Sequence, residues 1–327
     1  MLMNIREQLL TLLKESGESF ISGEEMSRRL GVSRTAIWKH IEELRQEGYI
    51  FEAVRRSGYR LLSSPDITSA EEIKLGLQAS VFGQHIHYYS TIDSTQNKCQ
   101  ELAKAGAPEG TLVIADEQAG GKGRLGRVWH APAGKNISMS LLIRPQLELD
   151  QCPQITLLAA VAIVETIKEL YSINAAIKWP NDVLIHGKKV CGILTELNAE
   201  ADHVNWLIIG MGINVNTEQH EFPPGVSEIA TSIAIQKGEK VRRVPFIQGV
   251  LQKLEELYQL YVNEGFTPVR KRWEANAITI GKRVIIRTLQ GQLEGLAEGI
   301  DDTGVLLVRK NDGTVQKVYS ADVEIQA

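Results

Sequence analysis

Apolar residues recur along this chain first at helical spacing, then in a mixture of helical and strand-like runs, and last in short alternating runs alone. Near the start Leu9, Leu10, Leu12 and Leu13 lie at helical spacing. Ser22 followed by Glu25 is a capping-box pattern and predicts a short helix ending at Leu30. Gly31-Val-Ser33 predicts a tight break. Ser33 can cap a second helix, from Arg34 to Glu47, that stops at Gly48. On that helix Ala36, Ile37, Ile41 and Leu44 form the apolar stripe expected in the core. Two alternating runs, Ile50 to Val54 and Tyr59 to Leu62, flank Arg55-Arg-Ser-Gly58, a hairpin turn. Helix, three-residue turn, helix and hairpin predict a winged helix-turn-helix over residues 1–63.

Ser63-Ser-Pro-Asp66 reads as a linker. Between about Ile67 and Glu274 strand-like runs (Thr111 to Ala115, Asn136 to Ile143, Lys189 to Leu197, Trp206 to Ile213) alternate with helical ones (Ser94 to Ala105, Ile155 to Leu170, Val244 to Glu264). That pattern predicts a mixed α/β, or α+β, domain over 67–274. From about Ile278 the chain holds only short strands, broken at Gln290-Gly, Asp302-Thr-Gly and Asn311-Asp-Gly. These predict a small β-barrel over 278–327.

Length and composition fit this division. A chain of 327 residues exceeds one ordinary domain. Its 43% hydrophobic and 23% charged residues are those of a globular protein with a packed core. No stretch approaches the roughly 18 consecutive apolar residues of a membrane helix, and the start lacks a signal-peptide cleavage site, so a cytoplasmic location is expected. Cys99, Cys152 and Cys191 are scattered, with no metal spacing, and read as free thiols of a reducing compartment. The net charge of -4 excludes a protein devoted wholly to nucleic acid. Met26 to Arg60 nevertheless carries eight Lys or Arg against four Glu, a basic segment on an acidic body.

That basic segment suits DNA. In a helix-turn-helix the start of the second helix faces base edges in the major groove. Arg34 can donate two bonds to guanine, and Ser33 and Thr35 can reach phosphates or bases. Lys39, on the same helix, and Arg55 and Arg56, at the tip of the wing, add cations for the phosphate backbone.

Two further islands carry chemistry. Gly121-Lys-Gly-Arg-Leu-Gly126 fits G-x-G-x-x-G, but no helix opens there: Arg127-Val-Trp-His-Ala-Pro132 follows, and then a strand. No Ser or Thr follows Lys122, so it is not a Walker loop either. What remains is a glycine-rich loop with three cations, Lys122, Arg124 and Arg127, suited to folding over a phosphate-bearing ligand. The second island is Ile177-Lys-Trp-Pro-Asn-Asp-Val183. There Lys178, Asn181 and Asp182 offer a cation, an amide and an anion within five positions, and Trp179 and Pro180 stiffen the chain.

Asp93-Ser-Thr-Gln96, the glycine-rich loop through Arg127, Lys178-Trp-Pro-Asn-Asp182 and Gly210-Met-Gly-Ile-Asn-Val215 occur in the order of the motifs of biotin protein ligases. With the winged helix in front, the chain resembles the bifunctional biotin ligase and biotin operon repressor family over essentially its whole length. The resemblance implies a C-terminal SH3-like barrel and an enzyme, biotin--[acetyl-CoA-carboxylase] ligase. Such an enzyme joins biotin to ATP, with Mg²⁺, giving biotinyl-5′-AMP and pyrophosphate, and passes biotin to a lysine of a biotin carboxyl carrier domain. It implies that Lys178 and Arg124 are catalytic, Lys178 meeting the biotin carboxylate and the phosphate. Ser94, Thr95 and Gln118 match positions that bond the ureido ring, and Lys122, Gly123 and Arg124 the biotin-binding loop. Arg127, Trp129, Asn181 and Asp182 fall on the nucleotide side; the residues that hold the metal stay open. Operator DNA and a homodimer formed with biotinyl-AMP are the further partners implied. Two departures stand out: Lys122 replaces the usual first Arg of the loop, and Gln96 the usual Asn. A ligase without a DNA role, a sensing repressor without turnover and a lipoate-type ligase are the alternatives.

Overall fold

The first helix, α1 (Ile5–Glu15), buries all four of its leucines against Met26 of α2 (Gly23–Leu30) and Ile37, Ile41 and Leu44 of α3 (Arg34–Gln46). Ala36, expected in this core, is half-buried. Both later helices begin as their caps dictate. Ser22 Oγ accepts the Glu25 amide at 3.1 Å, and Ser33 Oγ accepts the Ala36 amide at 3.2 Å, each satisfying an N–H with no partner inside the helix. The Glu25 carboxylate, expected to complete a capping box, instead pairs with Arg28 and Arg29. Gly31 ends α2 at φ 68°, a conformation that a Cβ resists. Strands β1 (Ile50–Val54) and β2 (Gly58–Ser63) pair antiparallel as the wing.

This computed structural model describes residues 5–200, 203–288 and 291–326, in two compact units, one ending at Ile67 and one starting at Thr68. The second unit contains, in order, α4 (Ala70–Lys74), β3 (His85–Ile92), α5 (Thr95–Lys104), β4 (Thr111–Gln118), β5 (Ile137–Ile143), α6 (Cys152–Tyr171), β6 (Ala176–Lys178), β7 (Asp182–Ile185), β8 (Lys188–Glu200) and β9 (His203–Ile213). Helices α7 (Ile233–Lys237), α8 (Arg243–Glu264) and α9 (Phe266–Asn276) follow.

Seven strands form one sheet in the order β3-β4-β5-β9-β8-β7-β6, parallel between β3 and β4 and antiparallel elsewhere. Alternate residues face opposite sides, and both sides are covered. Leu112, Ile114, Leu141, Ile143, Leu207 and Ile209 join the main core, to which α6 and α8 contribute. Val113, Leu142 and Ile208 pack with Cys99 and Ala103 of α5 on the other side. Covering both faces explains why these strands read as continuous apolar runs.

Strands β10 (Arg283–Thr288), β11 (Gly291–Ile300), β12 (Leu306–Arg309), β13 (Val315–Val318) and β14 (Asp322–Ile325) make a five-stranded antiparallel sheet, β13-β12-β11-β10-β14. The expected turns at Asp302-Thr-Gly and Asn311-Asp-Gly are present, tightened by the Asp301 and Asp312 carboxylates on the amides of Thr303 and Thr314; Gln290 lies outside the described residues. The described residues of this C-terminal segment pack into the core of the body. Val284, Ile286, Leu306 and Val308 belong to the main cluster, and the Trp179 indole donates to Gly304 O at 3.1 Å. Among the described residues no helix is long and apolar enough to cross a membrane.

Candidate functional site

The site of the second unit is built on glycines. Gly192 on β8 and Gly210 and Gly212 on β9 leave a floor without side chains, and other groups fill the space. A Cβ at Gly210 would lie 2.5 Å from Gln96 Oε1, and one at Gly212 would lie 2.4 Å from Trp129 Cε2. The Gln96 side chain is thus admitted by a missing side chain at Gly210. Its amide reaches toward Leu194 O and Ile208 O, and its Oε1 accepts from Ser140 Oγ at 2.9 Å. Thr95 starts α5 with its amide 2.8 Å and its hydroxyl 3.0 Å from Gln118 Oε1. Thr95 and Gln118 are therefore joined, and Ser94 lines the same wall of the cavity beside them.

The glycine-rich loop folds back on itself as a small flap. Gly123 N–H donates to Arg127 O at 2.7 Å, and Trp129 N–H donates to Gly121 O at 2.9 Å. A Cβ at Gly121 would come within 2.4 Å of Trp129 O, so the two arms approach this closely only with glycine there. The Trp129 ring lies over Gly192 and Gly212, with the Lys189 ammonium 5.7 Å from its centre. Its Nε1 is buried and has no partner among the described residues.

Each loop cation is anchored differently. Lys122 Nζ donates to Asn97 Oδ1 at 2.8 Å, and Asn97 in turn donates to Asp93. Arg124 donates to Asn181 Oδ1 at 2.9 Å and to Ser320 Oγ at 2.6 Å, bridging the Trp-Pro-Asn turn and the C-terminal sheet. Burial draws its pKa below the ordinary arginine value, with Asp322 and Asp182 opposing, and a guanidinium stays charged regardless. Arg127 pairs with Asp322. Lys178, at the end of β6, forms no ion pair among the described residues. Asp182, at the start of β7, pairs with Lys189 at 2.6 Å.

A cavity of about 360 Å³ collects these groups. Ser94, Thr95, Gln118, Lys122, Gly123, Arg124, Arg127, Trp129, Lys178, Asn181 and Asp182, all anticipated as ligand residues, line it together. A second cavity of about 310 Å³ shares Arg124, Arg127, Lys178, Asn181, Asp182 and Asp322, and adds Arg287 and Glu324. Sequence reasoning missed Lys189, Ser140, Ser320, Asp322 and Gly192, and gave Gly210 and Gly212 no role beyond their motif. Spacing at i, i+2 in Gly210-Met-Gly212 was the one signal for a floor, since it places two glycines on one strand face. The arrangement suits a ligand with two anionic groups that must meet, one of them phosphate.

In the first unit, a groove of about 740 Å³ is lined by Arg34, Thr35, Trp38, Arg55, Arg56 and Tyr59, among others. Four of the six anticipated DNA contacts therefore sit together. Ser33 and Lys39 are not part of that lining: the Ser33 hydroxyl is held as the α3 cap, and Lys39 is exposed, 3.9 Å from Glu43.

Sheet, flap and cation cluster are those of a ligase that activates a carboxylic acid. The profile of the Biotin/lipoate A/B protein ligase family matches residues 88–214, that of an HTH domain matches residues 5–60, and that of the Biotin protein ligase C terminal domain matches residues 279–325. The bifunctional ligase/repressor BirA of Bacillus subtilis (strain 168) is 51% identical, over 98% of each chain. That of Escherichia coli (strain K12) is 29% identical, over 97% of this chain and 96% of its own. Among solved structures, the biotin protein ligase from Aquifex aeolicus in complex with biotin and ATP superposes with a TM-score of 0.65 at 28% identity, covering 74% of this chain and 99% of its own. The chain belongs to the bifunctional biotin ligase/repressor family.

Proposed function

We propose that this chain activates biotin with ATP, transfers it to a lysine of a carboxylase carrier domain, and represses transcription in response to biotin. One observation carries the enzymatic half: Arg124, Arg127 and Lys178 converge on one cavity whose polar wall is Ser94, Thr95 and Gln118. A biotin carboxylate and the ATP α-phosphate repel each other in water. Cations fixed at their meeting point offset that repulsion and stabilise the charge that builds as they join.

In this reading a carboxylate oxygen of biotin attacks the α-phosphorus, the bond to pyrophosphate breaks, and biotinyl-5′-AMP forms. Lys178 sits between carboxylate and phosphate. Ser94, Thr95 and Gln118 take the ureido ring, while Lys122, Gly123 and Arg124 close over the bound acid. Arg127 faces the departing pyrophosphate, and Trp129 and Asn181 hold the nucleotide. The carrier lysine then attacks the acyl carbon as a neutral amine, AMP leaves, and the new amide sheds a proton. Mg²⁺ bound with the nucleotide would neutralise phosphate charge. No group of three or more His, Cys, Asp or Glu side chains among the described residues is arranged to hold a metal. Such an ion would be held by the phosphates, water and a carboxylate of the cavity lining, of which Asp182 is one. The buried, unpaired thiols of Cys99, Cys152 and Cys191 suit the reducing cytoplasm.

The regulatory half couples the units. Biotinyl-AMP orders the flap, favours a homodimer by strand addition, and so presents two winged helices to a two-fold operator. Lys178→Ala tests the chemical assignment. It should abolish biotin-dependent exchange of labelled pyrophosphate into ATP while leaving the thermal melt unchanged. Exchange near the wild-type rate would remove Lys178 from the mechanism.

A further inference from the structure

We propose that Trp38 is a sequence-reading residue of the winged helix-turn-helix, its indole packing on a thymine methyl group in the DNA major groove. This rests on the operator-binding reading above and names a contact within it. The α3 side chains buried in the core are Ile37, Ile41 and Leu44. Residues 34, 35 and 38, at i, i+1 and i+4, share a face turned away from that core. Trp38 is 55% exposed, whereas Trp179, Trp206 and Trp273 are buried and Trp129, on the flap, is half-buried against the glycine floor. An indole so exposed leaves on the order of 100 Å² of apolar surface in water. Single exposed apolar residues are common and need no explanation by themselves. Trp38, however, lies in the 740 Å³ groove between α3 and the wing.

The cations around that groove decide what fills it. Elsewhere in the unit arginines are neutralised: Arg28 and Arg29 pair with Glu25, Arg45 with Glu42, and Arg60 with Glu52. Arg34, Arg55 and Arg56 have no ion-pair partner among the described residues, and all three line the groove with Trp38. The lining holds one carboxylate, Glu24, against these three arginines, and an apolar plane in so cationic a groove fits a polyanion that also offers an apolar group. In the major groove of DNA that group is the thymine C5-methyl. Arg34, one turn before Trp38, is placed to take phosphate or guanine while the indole takes the methyl.

The test uses full-length protein with biotin, ATP and Mg²⁺, and a duplex that the protein itself selects from a randomised pool. Each dT of the selected site is replaced in turn by dU, which removes only the methyl. Wild type should lose about fourfold in affinity at one or two positions, the worth of one buried methyl. Trp38→Ala should bind more weakly and show no loss at those positions. Trp38→Phe should restore part of the dU effect, and unchanged melts of both variants certify the fold. Equal dU losses in wild type and Trp38→Ala would overturn the assignment, as would a wild type indifferent to every dU. Failure of the wild type to select any duplex, or binding with no dependence on salt, would instead overturn the operator-binding reading itself.

Discussion

Alanine at position 212 should dislodge Trp129 without disturbing the sheet beneath it. Gly212 has no positive φ, so alanine meets no backbone strain there. The cost is steric. The added Cβ would stand 2.4 Å from Trp129 Cε2 and 2.6 Å from Nε1. Carbon atoms settle at about 3.5–4.0 Å, so the ring must retreat by roughly 1 Å or more. Overpacking of this kind costs about 1–3 kcal/mol in a closed core. Here the ring is carried on a flap, so the strain is relieved by undocking the flap. The docked population should fall by about 5- to 150-fold, the equivalent of that energy. The assay is dissociation of labelled biotinyl-AMP after dilution, together with the KM for ATP. Gly212→Ala should release the intermediate faster and raise KM. Gly192→Ala, where the nearest ring atom is 3.2 Å away, should do so less. The melting temperature should fall by less than about 3 °C in either, because a strain borne by the flap stays below about 1 kcal/mol for the sheet. An unchanged dwell time and KM in Gly212→Ala would refute the docked-flap account.

Other outcomes follow from single residues. Glu255 accepts from the amides of Ser80, Val81 and Phe82 and from the Ser80 hydroxyl, at 2.6 to 2.9 Å. Burial pushes its carboxyl up, but those bonds more than offset this and hold it below the ordinary glutamate value of 4.5. Its stabilisation is therefore complete above that pH and is lost as pH falls through the lower folded value. Glu255→Gln should melt earlier by several degrees at neutral pH and show a flatter acid limb; parallel pH profiles would refute this. Burial raises all three thiols, Cys99 to about 12, so a thiol reagent at pH 8 should label none in the native protein and three in urea. Rapid native labelling would contradict the packing described.

Much of the fold was legible because local chemistry decided it. Ser22 and Ser33 announced two helix starts, Gly31 a stop, and four long apolar runs the centre of the sheet. Strands β6 and β7 escaped because three and four residues cannot display a period. Strand β3 escaped because an edge strand half open to solvent reads as a polar run, His-Ile-His-Tyr-Tyr-Ser-Thr-Ile. The site was legible as motifs and illegible as geometry. Loop cations can be read from residues 122, 124 and 127. Their anchors Ser320 and Asp322 lie 196 and 195 positions away, where only the folded chain brings them. Gly210 and Gly212 could be seen to share a face, but Gln96 and Trp129, which occupy the space they leave, could not. Trp38 fitted neither the apolar stripe nor the polar contacts expected of α3, and its meaning depends on the wing that closes the groove.

The most direct test of the central claim is pyrophosphate release by the purified chain with ATP and Mg²⁺, comparing biotin with lipoate. Release with biotin and none with lipoate is the predicted result. Release with lipoate alone would make this a lipoate-type enzyme, and silence with both would leave a sensor that binds without turnover; either would contradict the account.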